Sequence, residues 1–422
     1  MALMPDRAAA LARDAADPLA AAREQFVAAD SDPIYMDGNS LGRLPRATMT
    51  HLRRVVEDEW GTQLIRGWGT GWYEAPQRIG DRLGTLLGAA AGQVVMCDST
   101  SVNLFKVLLA ALALRPQRRT IVSDVLNFPS DLYLAQGCAA LLGGRHHLRL
   151  VPSHDSLTIS AADLADAIDD DTAVVMLTHV AFKSGAIHDM AAITAAAHAA
   201  GALVIWDLSH SAGVLPIELD ACRVDFAVGC SYKYLNGGPG APGYVYVNAA
   251  WHEQALSPIW GWFGQHQPFG FALDYTPAAG IARFLAGTPP ILALAAIEPA
   301  VEQLAEVGIA AIRAKSLALT GYAIELFDAL LAPVGYTLGS PRDPARLGGH
   351  VSVRHPAGYQ INRALIERLA VIPDFREPDN IRLGMSPLTT RFVDVWETAD
   401  RLRRAVVDGH YQAFAAQRRA VT

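Results

Sequence analysis

Short runs rich in β-branched residues alternate with alanine-rich helical stretches between residues 90 and 250. The strand-like runs are TIVSDV, DTAVVMLTHV, GALVIWDLSH, VDFAVGCSYK and GYVYVN. Parallel strands need long crossover connections, and these are usually helices that cover both faces of the sheet. The alternation therefore predicts an α/β fold built on a mainly parallel sheet between helices.

A long helical region and a second α/β pattern follow the predicted sheet. Residues 290–332 have apolar positions at helical spacing, which predicts one long helical spine between domains. The Gly- and Pro-rich stretch PVGYTLGSPRDPARLGGH comes next, and a strand-helix-strand pattern follows it. Because 422 residues are too many for a single compact core, we expect a second, smaller α/β unit at the C-terminus.

Composition excludes several classes of protein. Acidic side chains outnumber basic ones 42 to 35, and the sequence has no long basic run, so we expect no nucleic-acid partner. No signal-peptide core is present and no stretch approaches ~18 uncharged apolar residues, so we expect a cytoplasmic protein with no membrane partner. The cysteines lack CxxC spacing, which indicates reduced thiols with neither a metal site nor a disulfide framework.

The sequence has only four lysines, at positions 106, 183, 233 and 315. A lysine that forms a Schiff base must be partly desolvated and held beside a cofactor. Lys106 and Lys315 lie within helical patterns, which predicts ordinary surface side chains, and Lys183 lies in a loop. Lys233 follows a strand-like run and precedes the Gly-rich segment NGGPGAPG, which lets backbone approach a ligand closely. Lys233 is therefore the candidate for amine chemistry.

An acid and a histidine follow the neighbouring predicted strand. The run ALVIWD ends in Asp207, and His210 comes three residues later. Ligands in open α/β sheets bind beyond the carboxyl ends of the strands. An acid there can pair with the protonated ring nitrogen of pyridoxal phosphate (PLP), the cofactor that acts as an electron sink. The alternative is that Asp207 only caps the following segment.

Two further strand ends offer a phosphate site and a stacking ring. Thr100 and Ser101 begin an apolar helix, where free N–H groups and hydroxyls can hold a phosphate dianion. Phe128 and Asp131 follow the strand TIVSDV, and an aromatic face there can stack on a flat cofactor. Alone, Thr100 and Ser101 indicate only a good helix cap, and a lone Phe128 is more often a core residue than a stacking surface. Phosphate site, ring, acid and lysine in succession point together to a PLP site.

At this point the residues match a known family: the chain resembles kynureninase, of the aspartate-aminotransferase superfamily of PLP-dependent enzymes (fold type I). The motifs that carry the resemblance, over residues 34–392, are YMDGNSLGRLP, STSVNL, FPSDLY, WDLSHSAGVLPIEL, CSYKYLNGGPGAPG, GWFGQ, GTPPIL and IRLGMSPL. It implies a large domain with a mainly parallel seven-stranded sheet and a smaller α/β C-terminal domain. The implied division is an N-terminal segment, 1–48, packing with the small domain, a PLP-binding domain, 49–289, and a small domain led by the spine, 290–422.

The resemblance also implies a role for each matching residue. Lys233 would carry the cofactor as a Schiff base and Asp207 would pair with its ring nitrogen. The residues implied to contact the phosphate are Thr100, Ser101 and Tyr232, together with Trp262 and Thr288 from a second subunit of a homodimer with a composite active site. The rest of the implied cofactor shell is Phe128, Asp131, Thr178 and His210. The implied substrate-binding residues are Arg382, which would bind the α-carboxylate, with Trp68, Asn39 and Ser40.

The implied reaction is that of a hydrolase acting on carbon–carbon bonds in the kynurenine pathway of tryptophan degradation and NAD biosynthesis. L-Kynurenine would be cleaved between Cβ and Cγ to anthranilate and L-alanine, and 3-hydroxykynurenine to 3-hydroxyanthranilate is a second possible reaction. Relatives that favour the hydroxylated substrate tend to carry histidine at the position of Trp68 and asparagine at that of Thr288, so these residues suggest plain L-kynurenine. Lys233 would remove the Cα proton, and Tyr232 is the candidate acid–base group near the γ-carbonyl.

Two other interpretations stay open on the sequence. A cysteine desulfurase or selenocysteine lyase would share the fold and the Lys/Asp/His set, but it usually needs a nucleophilic cysteine well downstream of the lysine. The last cysteine here is Cys230. The second is a catalytically silent PLP-binding regulator, and the presence of Lys233, Asp207 and Arg382 argues against it.

Overall fold

The computed structural model of the chain describes residues 6–28 and 33–415. The strands of this part are β1 (Ile34–Tyr35), β2 (Val94–Met96), β3 (Thr120–Asp124), β4 (His147–Val151), β5 (Thr172–Thr178), β6 (Leu203–Asp207), β7 (Phe226–Gly229), β8 (Tyr244–Val247), β9 (Thr337–Leu338), β10 (His350–Arg354), β11 (Val371–Ile372), β12 (Asp374–Arg376) and β13 (Asn380–Gly384). The α-helices are α1 (Arg7–Ala15), α2 (Arg46–Arg54), α3 (Ala75–Gly84), α4 (Thr100–Ala113), α5 (Pro129–Leu141), α6 (Ala161–Ala167), α7 (Met190–Ala199), α8 (Ile291–Val307), α9 (Ile309–Leu326), α10 (Gly358–Arg368) and α11 (Phe392–Val407).

The large sheet has seven strands in the order β2-β8-β7-β6-β5-β3-β4. Strand β8 is antiparallel to both of its neighbours, and the other pairs are parallel. Alternate residues of β5 are buried in two different apolar clusters, Val174 and Met176 on one face and Val175 and Leu177 on the other. Both faces are therefore covered, as expected for parallel strands. The prediction of a mainly parallel seven-stranded sheet between helices is confirmed.

A four-stranded antiparallel sheet, in the order β12-β13-β10-β9, forms the core of the C-terminal part. Helices α9, α10 and α11 contribute buried apolar residues to the same cluster as this sheet. Within it, Arg382 on β13 lies opposite both Asp374 on β12 and Ser352 on β10. The predicted second α/β unit is present, and its sheet brings Arg382 close to an acidic side chain.

The N-terminal segment contacts both parts of the molecule. Ala10 and Met36 lie in the apolar cluster of the small sheet, whereas Ala22 and Phe26 lie in that of the large sheet. Strand β1 also pairs in parallel with β11 of the small unit. The boundaries at residues 48 and 289 stay a prediction.

The predicted helical spine over 290–332 is not continuous, so this expectation was wrong in part. Helices α8 and α9 are separated at Gly308, which has a φ of 83°. Glycine adopts this left-handed region without steric cost, and it ends one helix before the next begins. The apolar helical stretch Ile309–Val334 is long enough to cross a membrane, with 44% of its most apolar window buried. Its buried apolar residues from Leu319 onward pack in the small-sheet cluster and Ile312 packs in the large-sheet cluster, as those of a core helix do.

Candidate active site

A pocket of about 220 Å³ lies where the carboxyl ends of the large sheet meet the small sheet. Its lining residues are Ser40, Thr100, Ser101, Phe128, Ser130, Asp131, Asp207, Ser209, His210, Tyr232, Lys233, Arg376 and Arg382. Ten of them were expected from the sequence, and they come from loops that follow β2, β3, β6 and β7, from the N-terminal segment and from β13. Because the strand ends lie at one edge of the sheet, the residues that follow them form one cluster of polar groups.

The Lys233 amine lies against an imidazole. Its Nζ atom is 3.0 Å from Nε2 of His210. Burial and the charge of Lys233 hold the pKa of His210 well below its ordinary value, so the imidazole is neutral near pH 7. Its other nitrogen, Nδ1, has no hydrogen-bond partner among the described residues. The histidine can therefore accept a hydrogen bond from the amine and still has one ring nitrogen for a ligand.

Two buried carboxyl groups, Asp131 and Asp207, share the floor of the pocket. The pKa of Asp131 is raised well above its ordinary value because the group is buried and lies beside the charge of Asp207. Oδ1 of Asp207 accepts a hydrogen bond from the Ser209 N–H at 2.8 Å, so Asp207 caps the following turn and also lines the pocket. Like charges this close cannot both ionise cheaply, which together with burial favours the protonated form of Asp131.

The amino end of α4 forms another wall. Ser99 caps the helix by accepting the Val102 N–H, and Thr100 and Ser101 occupy its first turn. The first N–H groups of a helix have no intrahelical acceptor, which makes this end a ready anion site. The Ser101 hydroxyl also lies 3.3 Å from that of Ser130. These donors suit a phosphate group.

Two aromatic side chains complete this half of the pocket. Phe128 is 41% exposed although it lines the pocket, and its ring contacts Phe182 edge-on with centroids 5.2 Å apart. One face of Phe128 is thus available for a flat ligand. Burial and the Cys230 thiol raise the pKa of Tyr232, so its hydroxyl stays protonated and can donate a hydrogen bond.

Arginines from the small sheet form the opposite half. Arg382 is almost fully buried, and its Nη2 donates to Ser40 Oγ at 2.9 Å and to Asp374. Its Nη1 donates to the Phe182 carbonyl at 2.7 Å. Arg376 also lines the pocket, and the sequence reasoning missed it. The signal was present in DFREPDNIR, because strand period places Asp374 and Arg376 on one face of β12 with Arg382 opposite on β13.

The N-terminal segment reaches the pocket through a close backbone contact. The Gly42 N–H donates to the Tyr232 carbonyl at 2.8 Å. A Cβ atom on Gly42 would overlap the Lys233 carbonyl, so only glycine fits at this position. This contact holds Ser40 at the arginine half of the pocket.

Five expected site residues do not line this pocket, namely Asn39, Trp68, Thr178, Trp262 and Thr288. Thr178 lies beside Asp207 in the sheet, but its hydroxyl donates to the Val180 carbonyl at 3.1 Å. Asn39 is fully buried, with no hydrogen-bond partner for its side-chain amide among the described residues. Trp68 packs on Trp72 and Phe263. Trp262 and Thr288 are exposed and lie outside the pocket of their own chain.

The surface positions expected for Lys106 and Lys315 were wrong. Lys106 is fully buried, where its amine donates to Asp98 at 2.6 Å and to the Phe284 carbonyl at 2.7 Å. Lys315 is also buried, paired with Asp17. In each case a carboxylate compensates the buried charge, and the partner of Lys315 lies 298 residues away, which helical periodicity alone does not reveal. Neither amine lines the pocket, so Lys233 keeps its distinct position.

A larger cavity, of about 870 Å³, lies between α6 and α7. Its lining is mostly alanine, isoleucine and leucine, and its charged side chains are Asp189 and Arg346. It does not contain the cluster of titratable groups with shifted pKa values that marks the smaller pocket. Size alone therefore does not identify the site.

Two family models match the chain. The kynureninase C-terminal domain matches residues 312–402, and the DegT/DnrJ/EryC1/StrS aminotransferase family matches residues 63–217. Kynureninase from Pseudomonas fluorescens is 48% identical over 404 residues, which cover 94% of this chain and 95% of the relative. Kynureninase from Burkholderia pseudomallei is 47% identical over 406 residues, which cover 95% of each chain.

Solved structures resemble the fold at lower sequence identity. The apo cysteine desulfurase from Thermococcus onnurineus has a TM-score of 0.79 and 19% identity, and the match covers 92% of this chain and 97% of that one. A C-DES variant with glycine covalently linked to its PLP cofactor has a TM-score of 0.78 and 19% identity, with 90% and 98% coverage. At this identity the likeness establishes the fold.

Proposed function

This chain belongs to the kynureninase family, and on that premise we propose that its pocket cleaves L-kynurenine hydrolytically, with PLP, to anthranilate and L-alanine. The observation that carries the proposal is 48% identity to a curated kynureninase over nearly the full length of both chains. The desulfurases share only the fold at 19% identity. In addition, the last cysteine of this chain, Cys230, is buried rather than placed on an open loop.

The residues of the pocket fit PLP. Lys233 would hold the cofactor covalently, Asp207 would face its ring nitrogen, and Phe128 would cover its ring. The amino end of α4 and Tyr232 would hold its phosphate, and the unpartnered Nδ1 of His210 and Oδ2 of Asp131 are buried polar atoms that a polar ring can satisfy. When bound, PLP supplies an electron-withdrawing ring that stabilises negative charge at the substrate's Cα.

Lys233 and Tyr232 are the proposed proton carriers. The Lys233 amine would take the Cα proton, and the neutral His210 at 3.0 Å keeps the amine oriented without adding a competing positive charge. Tyr232, protonated because burial raises its pKa, would donate to the γ-carbonyl oxygen as water adds to that carbon. Cβ–Cγ cleavage then gives anthranilate, and L-alanine is the second product.

Substrate recognition is assigned to the arginine half of the pocket. Arg382 would bind the α-carboxylate through its planar fork, and Ser40, which accepts from Arg382 at 2.9 Å, helps to fix that fork. Asn39 and Trp68 are proposed to support the substrate from behind this surface, and Thr178, beside Asp207 in the large sheet, to support the cofactor.

The function is tested by incubating purified, PLP-loaded protein with L-kynurenine and measuring anthranilate and L-alanine. We expect equimolar amounts of the two products, and slower turnover of 3-hydroxykynurenine because Trp68 and Thr288 match the bacterial pattern. L-Cysteine serves as the control substrate. Release of sulfide from cysteine without cleavage of kynurenine would establish the desulfurase alternative, and PLP binding without any turnover would establish the regulator.

We also propose a homodimer with composite active sites. Trp262 and Thr288 are exposed away from their own pocket. Trp262 contacts the exposed Phe269, and the same segment carries the exposed Trp260 and Phe271, a composition typical of an interface. In this arrangement the two residues would reach the phosphate of the neighbouring subunit.

A mixing experiment tests the composite site. Lys233→Ala and Trp262→Ala are each expected to be inactive, and mixed dimers then hold one intact site and recover part of the activity. A self-contained site would give no recovery after subunit exchange. Size measurements on the same samples verify that the mixed dimers have formed.

A cytoplasmic location and the division at residues 48 and 289 belong to the same proposal. The buried free thiols Cys97, Cys138 and Cys230 support a reducing compartment. The separate apolar clusters around the large and small sheets support a division into two domains, with Leu294, Ile297, Val301 and Leu304 of α8 packed in the large-sheet cluster.

A further inference from the structure

Arg376 presents free hydrogen-bond donors to the pocket. Its Nη1 forms an ion pair with Asp374 Oδ1 at 2.9 Å and donates a hydrogen bond to the Phe375 carbonyl at 3.1 Å. Nε and Nη2 have no acceptor among residues 6–28 and 33–415. Its side chain is 34% exposed and lines the pocket. Arg376 thus has two adjacent donors available to a ligand.

Arg382 is in the opposite situation. Its side chain is only 1% exposed, and both of its terminal nitrogens already donate to protein acceptors, including Ser40 and Asp374. Nε is its one nitrogen with no hydrogen-bond partner in the described part of the chain. Arg382 therefore supplies positive charge but few free donors, so by itself it cannot satisfy both oxygens of a carboxylate.

Asp374 connects the two arginines. One of its oxygens pairs with Arg376 and the other with Arg382. A single carboxylate leaves one positive charge uncompensated. Asp37 lies beside the cluster, and burial and the charge of Asp374 raise its pKa to about 6. Asp37 is therefore ionised above about pH 6 and offsets the second positive charge, so the attraction for an anion rests on the free donors of Arg376 rather than on excess charge.

We propose that Arg376 and Arg382 bind the substrate's α-carboxylate together, with Arg376 providing the accessible donors and Asp374 fixing the separation of the two guanidinium groups. This inference rests on the proposed function and adds a second substrate-binding residue to it. A carboxylate placed between the arginines contacts Nε and Nη2 of Arg376 on one side and the charge of Arg382 on the other. Asp374 is a positioning residue in this arrangement.

The test compares Arg376→Gln with Arg354→Gln as a matched control. Arg354 lies in the same sheet, is similarly exposed and pairs with Asp379, but does not line the pocket. Arg376→Gln should raise KM for L-kynurenine about 10- to 100-fold, the size of a charge-assisted hydrogen bond. Its kcat should change much less, and Arg354→Gln should leave both constants near those of the wild type.

A ligand without the carboxylate separates binding from structure. Kynuramine keeps the amine, the ketone and the aromatic ring of the substrate, so its inhibition constant should be the same in the wild type and in Arg376→Gln. Equal losses of affinity for kynurenine and kynuramine would overturn the proposal, as would an unchanged KM for kynurenine. If Arg376→Gln does not fold, Arg376→Lys, which keeps the charge but not the fork, should show the same selective rise in KM.

A failure of the proposed function can be distinguished from a failure of the two-arginine site. Wild-type protein that does not cleave L-kynurenine would contradict the assigned reaction, whereas the role of Arg376 would then be measured by calorimetric binding of L-alanine, which has the same α-carboxylate. Weaker L-alanine binding by Arg376→Gln than by Arg354→Gln supports the two-arginine site. Equal binding by the two variants contradicts it.

Discussion

The two halves of the pocket satisfy their polar groups differently. At the large-sheet half, His210 and Asp131 are buried with a polar atom that has no partner in the described chain. At the small-sheet half, Asp374 joins Arg376 and Arg382 in ion pairs. The first half leaves groups free for a cofactor and for proton transfer, whereas the second fixes charges that recognise a substrate. Substitutions in the two halves should therefore affect different kinetic constants.

The largest effect is expected at the large-sheet half, for Lys233→Ala. Loss of the amine removes both the attachment of the cofactor and the base, so kcat should fall by about 10³-fold or more. The visible absorbance of the bound cofactor should shift to that of noncovalent PLP. Lys183→Ala is the control, because Lys183 does not line the pocket, and it should retain normal turnover. Similar losses of kcat in Lys233→Ala and Lys183→Ala would contradict the assignment of the catalytic amine to Lys233.

The paired carboxyl groups give the next effect. Asp207→Asn removes the charge that faces the ring nitrogen, so kcat should fall by about 10²-fold or more. Asp131→Asn replaces a group whose raised pKa already keeps it uncharged, and it should cost far less activity. Steady-state kinetics of the two variants, each saturated with PLP, make the comparison. A larger loss of kcat for Asp131→Asn than for Asp207→Asn would contradict the assignment of Asp207 as the carboxylate that faces the ring nitrogen.

At the small-sheet half, Arg382→Ala should act on substrate binding. Removing one member of a buried charge pair costs several kcal/mol, so KM should rise by about 100-fold while PLP affinity changes little. Arg382→Lys keeps a charge beside Asp374 and serves as the control for folding. Equal loss of substrate and cofactor binding would mean that Arg382 only maintains the structure.

The smallest effect concerns stability and Asp37. Its pKa rises from 3.8 to about 6 in the folded protein, so ionisation disfavours the fold. This cost is absent below pH 3.8, grows between pH 3.8 and 6, and is constant above. The Tm of Asp37→Asn minus that of the wild type should therefore be about 1–3 °C larger at pH 8 than at pH 5. Thermal unfolding of the apoproteins measures this, and a pH-independent difference would contradict the shifted pKa.

The large-sheet half was largely predictable from the sequence. Strand periodicity located β3, β5, β6, β7 and β8, and residues that follow strand ends must meet at one edge of a parallel sheet. That rule brings Asp131, Asp207 and Lys233 together from the sequence alone, and Thr100 was expected nearby from its place at the start of an apolar helix. Strands β2 and β4 were not recognised, because β2 has only three residues and β4, which contains His147 and Arg149 and is mostly half-buried or exposed, lacks the continuous apolar run of a buried strand.

The small-sheet half was predictable only through family resemblance, and only in part. Arg382 came from a matching motif, whereas Arg376 was missed because its place depends on the pairing of β12 with β13. Partners distant in the sequence also explain why the burial of Lys106 and Lys315 was not predicted. Lys106 donates to the Phe284 carbonyl, and Lys315 pairs with Asp17, 298 residues away. Local sequence patterns carry no information about such partners.

Mapping the lysine that holds the cofactor is the most direct test of the site. Holoprotein is reduced with borohydride, digested and analysed by mass spectrometry, which locates the phosphopyridoxyl group on one of the four lysines. The structure predicts the label on Lys233, next to His210 in the pocket. A label on Lys183, Lys106 or Lys315, or no label on reduced holoprotein, would contradict the assignment on which the proposed chemistry rests.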